Sequence, residues 1–153
     1  MALPGDYIGD PDFELAGLRL WIHGYEFPHL TDWHDGNWLI ATAHYQNENA
    51  SVWVPHEPML LTWELRDWLK AMENLYRRLR GIATLEPTEP YLFVELRAAN
   101  ERGDIEMRLE ITPDPSSEQH RFWNATDSSY LPDAMRQLQE ILNRYPVRGR
   151  SDY

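Results

Sequence analysis

Residues 92–111 read LFVELRAANERGDIEMRLEI, and the architecture of the chain follows from them. Leu92, Val94 and Leu96 alternate with Phe93, Glu95 and Arg97, and Ile105, Met107, Leu109 and Ile111 alternate with Glu106, Arg108 and Glu110. A period of two belongs to a β-strand that buries one face. The polar run around Asn100 and Gly103 supplies the turn between them, so the segment predicts a β-hairpin. Its second strand is the more sharply two-sided and is expected to wet its outer face. Glu106 and Glu110 lie on that face with Arg108 between them. Two acids so placed can serve acid–base chemistry, yet a solvated strand has the same pattern, and that is the simpler reading.

Toward the N-terminus the alternation returns. Leu18, Leu20 and Ile22 point one way, and Arg19, Trp21 and His23 the other, with Gly24 expected to mark a bulge. The polar loop 29–37, HLTDWHDGN, has its turn signal at Asp35 and Gly36. A strand over 38–45, a turn over 46–50 and a third strand over 51–54, ended by Pro55, make a second hairpin. Thr62 is placed to cap a helix, with Glu64 against its positive end. Leu65, Trp68, Leu69, Met72, Leu75, Tyr76 and Leu79 then recur at steps of three and four, and Gly81 stops the run. Beyond the central hairpin, 113–117 reads as a loop and 120–125 as a short last strand. A second amphipathic helix is predicted over 129–144, with Pro132 in its first turn.

Hairpins combined with helices, rather than alternating strand–helix units, predict an α+β fold: a mainly antiparallel sheet of about five to seven strands with two amphipathic helices on one face. No repeat or linker divides the chain. One domain over residues 1–153 is expected, with residues 1–12 as an irregular lead-in that lacks the basic and apolar regions of a signal peptide.

Composition narrows the function. The chain has 153 residues, no cysteine and a formal net charge of −11. Absence of cysteine removes disulfides, thiolate nucleophiles and Cys-ligated zinc, and suits a reducing, cytoplasmic setting. Acidity argues against nucleic acid as a partner and favours a basic protein, although acidity that only keeps a protein soluble is the simpler reading. No apolar run approaches the roughly 18 residues that cross a bilayer, so no membrane association is expected. Within residues 1–37, Asp6, Asp10, Asp12, Glu14, Glu26, Asp32 and Asp35 face Arg19 alone.

The sequence contains no GxGxxG or Walker pattern, no GxSxG elbow and no HExxH or HxH pair. His29, His34 and Asp35 share one polar loop, but no spacing fixes them as ligands on a rigid element, and solvated loop histidines are expected instead. No catalytic residue, cofactor or metal is therefore assigned. Trp33 lies in this acidic loop without a strand or helix pattern to bury it. It reads either as an interface anchor or as a ring folded back onto the domain.

Several short runs stand out when taken in order: Gly24-Tyr25-Glu26-Phe27-Pro28, Asp35-Gly36-Asn37-Trp38-Leu39 and Leu60-Leu61-Thr62-Trp63-Glu64-Leu65. Leu85-Glu86-Pro87, Leu92-Phe93-Val94-Glu95 and the closing Arg144-Tyr145-Pro146-Val147-Arg148 continue the series. In their order and spacing these runs resemble WapI-type bacterial immunity proteins. The similarity spans about residues 13–149, and departs from the family pattern over 113–129, where a Pro-rich turn would be expected. The resemblance implies a stoichiometric inhibitor, not an enzyme, that binds and neutralises a cognate toxin domain, often a nuclease. Glu26, Asp32, Trp33, His34 and Asp35 are the expected partner contacts, on the local charge excess and the unpatterned aromatic. Two other classes stay open: an adaptor outside toxin biology, and an unrecognised small-ligand or metal-binding enzyme. An exposed sheet edge also leaves homodimer formation open.

Overall fold

The computed structural model describes residues 8–151. Residues 1–7 of the expected lead-in lie outside the described residues, and 8–12 run irregularly into the first strand. The strands are β1 (Phe13–Leu15), β2 (Leu18–Tyr25), β3 (Trp38–Gln46), β4 (Ser51–Leu61), β5 (Ile82–Leu85), β6 (Leu92–Ala98), β7 (Asp104–Ile111) and β8 (Arg121–Asp127). Helix α1 (Thr62–Arg78) separates β4 from β5, and α2 (Leu131–Arg144) follows β8.

Each sheet is an antiparallel meander of four consecutive strands, ordered β1-β2-β3-β4 and β5-β6-β7-β8. In the second sheet the alternation of residues 92–111 becomes the pairing Val94 with Leu109 and Leu96 with Met107. These four side chains are completely buried, in one core that also takes Leu20 and Ala43 from the first sheet and Leu65 and Leu138 from the helices. Tyr45 of β3 joins the sheets: its hydroxyl donates to Asn124 Oδ1 at 2.6 Å, and its ring packs 4.5 Å from that of Phe122. The helices lie together along one side, against the first strand of each sheet. Trp68 of α1 donates its indole N–H to the Ala83 carbonyl in β5, and the Glu14 amide of β1 donates to Gln137 of α2 at 2.7 Å. Strands β4 and β8 thus form the two remaining edges.

The α+β class, the antiparallel strands and the two amphipathic helices stand as expected. The strands number eight among the described residues and divide into two sheets. β1 and β5 have three and four residues, too few for a periodic signal. The third expected strand does not end at Pro55; it continues through Pro55 and Pro58 to Leu61. Proline lacks an amide donor, and an edge strand has no second neighbour that needs one. The bulge expected at Gly24 is present, with the register slipping between Ile22 and Gly24.

Helix α1 is capped differently from its sequence reading. Leu61 is the N-cap residue, and Glu64 accepts its backbone N–H at 2.7 Å. Thr62 is already helical, and its hydroxyl donates instead to the buried Asn37 side chain. At the other end Leu79, with φ of +52°, closes the helix two residues before Gly81.

The outer face of the first sheet is drier than alternation suggested. Trp21 stacks on Trp53 at 5.6 Å, and Trp53 on His44 at 3.8 Å, so both Trp21 and His44 are buried. Burial, aided by the nearby Arg19, holds the His44 pKa below its ordinary value.

Candidate partner-binding site

The loop between β2 and β3, residues 26–37, is long and largely exposed, yet its backbone is held at many points. The Glu26 amide donates to the Trp38 carbonyl at 2.9 Å and closes its neck. Asp32 accepts the Asp35 amide on its carboxylate at 2.9 Å, which starts the 3-10 turn Asp35–Asn37. Asn37 ends that turn and is completely buried. Its amide nitrogen donates to the carbonyls of Trp33 at 2.7 Å and Arg148 at 2.9 Å. Its carbonyl oxygen accepts the Thr62 hydroxyl at 2.6 Å and the Arg148 amide at 2.8 Å. One side chain with its four bonds all satisfied thus joins the loop, the start of α1 and the C-terminal segment.

Arg148 strengthens the same junction. Its guanidinium lies 3.6 Å from the centre of the Tyr25 ring and donates to the carbonyls of Pro28 at 2.9 Å and Leu30 at 2.7 Å. Gly149 follows with φ of +69°, and a Cβ there would stand 2.8 Å from the Trp33 amide nitrogen. Any larger residue would push the segment off the loop.

The five residues expected from sequence fall on this frame. Asp32, His34 and Asp35 are exposed, and Glu26 and Trp33 are half-buried. Trp33 has folded back: its ring stacks on Trp63 at 5.6 Å with 9° between planes, and the Arg66 guanidinium sits 5.7 Å from it. No local pattern could reveal this contact, because Trp63 lies thirty positions along the chain.

The electrostatics add a residue that sequence reasoning missed. The Glu26 carboxyl is held above its ordinary pKa, first by burial, then by the charges of Asp35 and Glu89. Glu89 comes from the short loop 86–90, sequence EPTEP, between β5 and β6. It also raises Glu64, whose upward shift arises chiefly from burial against the opposing bonds from the amides of Leu61 and Thr88 and the Thr88 hydroxyl. Two carboxylates in a Pro-rich turn were the available signal, but nothing local placed them beside the loop at 26–37.

These raised pKa values have a sign in stability. An acid whose folded-state pKa exceeds its unfolded value takes up a proton on folding, so its contribution is greatest at acid pH and is lost as pH rises through the folded value. Acidification from neutrality through that window is expected to make the Glu64 term more favourable. In urea titrations across pH, Glu64→Gln should make the slope of stability against pH more positive there. An unchanged slope would show that Glu64 titrates as an ordinary carboxyl.

Among the described residues no group of three or more His, Cys, Asp or Glu side chains is arranged to hold a metal, and His29, His34 and Asp35 do not converge into one. No helix among them is long and apolar enough to cross a membrane.

Fold and loop together define an acidic α+β domain in which Asp32 and Asp35 stand exposed on a braced loop. The chain belongs to the immunity protein WapI-like family, whose model matches residues 9–146. Membership supports the role of an immunity protein. No curated protein and no solved structure matches the chain.

Proposed function

We propose that this protein neutralises a cognate toxin domain by stoichiometric binding in the cytoplasm, without catalysis of its own. The proposed contact is loop 26–37, through Glu26, Asp32, Trp33, His34 and Asp35, with Glu89 beside it. The exposure of Asp32 and Asp35 on a loop whose backbone is pinned by Asn37 and Arg148 carries this reading. Like charges carried at fixed backbone positions form a surface complementary to a basic one, which speeds encounter and excludes acidic competitors. Bracing by Asn37 and Arg148 lowers the ordering cost of binding. A nuclease domain is the favoured target, because its substrate groove is basic and an acidic loop competes there with phosphate.

Co-expression with the toxin domain encoded beside this chain tests the proposal. Rescue of growth with co-purification of a complex supports it, and failure against an active toxin overturns it. The double variant Asp32→Lys with Asp35→Lys then tests the surface. Its association rate should fall by about tenfold or more at low salt, with a flatter dependence on ionic strength. An unchanged rate would move the contact elsewhere on the protein.

A further inference from the structure

The four sheet edges are not equally protected. β1 lies against α2 and β5 against α1, while β4 carries Pro55, Pro58 and two register irregularities. Prolines and bulges are devices that discourage strand addition. β8, with the sequence RFWNATD, has none of them, and its register with β7 is unbroken. Its only strand neighbour among the described residues is β7, and its Trp123 is 60% exposed. An open depression of about 580 Å³, bordered by Ala125, Asp127 and Tyr130, runs beside its C-terminal half.

The hydrogen-bond phase of this edge can be read. The Ile111 amide donates to the His120 carbonyl at 3.2 Å, and the Ser128 amide to the Gly103 carbonyl at 2.7 Å. Antiparallel ladders alternate, so the even-numbered residues of β8 bond to β7. The backbone groups of Arg121, Trp123, Ala125 and Asp127 therefore turn to the open edge.

We infer that β8 pairs antiparallel with β8 of a second copy about a two-fold axis at Asn124, making one sheet continuous across a homodimer. In this register Arg121 stands opposite Asp127 and Trp123 opposite Ala125, each pair occurring twice. Both members of every such pair offer edge-facing backbone groups, so the ladder closes in phase. Their side chains share the outer face of the sheet, where opposite charges meet and the largest ring lies across from a methyl group. Centring the axis on Trp123 keeps the phase but sets the two indoles against each other and Arg121 against Ala125. Centring it on Ala125 leaves Asp127 opposite Trp123. Charge and size together select the axis at Asn124. The partners are available: Arg121 uses its Nε on Glu110, leaving its terminal nitrogens, and Asp127 uses Oδ1 on the Ser129 amide, leaving Oδ2.

The inference is independent of the toxin-binding reading and needs only the purified chain. Sedimentation equilibrium over a wide concentration range should show a reversible monomer–dimer equilibrium. Ala125→Pro removes an edge-facing N–H without touching the β7 ladder, and is expected to leave a folded monomer by circular dichroism. Arg121→Asp places acid opposite acid at both ends, and should raise the dimer dissociation constant about tenfold. Adding Asp127→Arg to it should restore most of that loss. A wild-type monomer at every concentration overturns the proposal. So does a dimer indifferent to Ala125→Pro and Arg121→Asp, or a folded double variant that shows no recovery.

Discussion

Replacing Asn37 with alanine is expected to cost the fold about 4 kcal/mol, roughly 1 kcal/mol for each of its four hydrogen bonds. The cost is high because methyl leaves behind two carbonyls, a hydroxyl and an amide in a place water cannot reach. Urea denaturation of the purified variant measures it directly. Asn37→Asp is expected to be no milder. It keeps both acceptor bonds but turns the donor end into a buried carboxylate oxygen facing two carbonyls. On the proposed function, toxin affinity should fall in either variant, even though Asn37 is fully buried and out of a partner's reach. A loss of less than about 1 kcal/mol in the alanine variant would show that water replaces the side chain.

Trp68→Ala is the second large effect, at about 3–5 kcal/mol. Trp68 is completely buried, packs its ring 5.3 Å from Phe13 of β1 and donates to the Ala83 carbonyl in β5. It is the piece of α1 that touches the first strand of both sheets, so a cavity there loosens the helix from each at once. Trp68→Phe retains most of the ring contact and should lose about half as much. Thermal melts of the two variants test this ordering. If alanine were tolerated as well as phenylalanine, the clamp would have to be sought among Leu65, Met72 and Leu75.

What the sequence revealed follows the range of the forces involved. Strand alternation over 92–111 and the helical stripe from Leu65 to Leu79 are local patterns, and both elements appear where their periods placed them, although Tyr76 of that stripe is exposed. Pro55 misled because its effect depends on whether a strand has one neighbour or two, which is not a local property. The division into two sheets was hidden for the same reason: inward side chains in either sheet obey the same alternation. The loop at 26–37 was visible as a charge excess, and its family as an ordered series of short runs. Its rigidity was not visible, because Asn37 and Arg148 meet across 111 positions of chain. Glu89 was missed on similar grounds. Trp33 admits two readings from sequence alone, and the stack on Trp63 decides that it folds back while the residue stays half-buried.

The same long closure bears on how the protein is made. Both meanders can form from neighbouring strands as the polypeptide leaves the ribosome, since every strand pair joins consecutive strands. The brace of the loop cannot form then, because residue 148 is translated more than a hundred codons after residue 37. A nascent or prematurely terminated chain would hold most of its core and yet present the loop unfastened. Affinity for the partner would then arrive last in synthesis, and a chain truncated before Arg148 would fold without acquiring it.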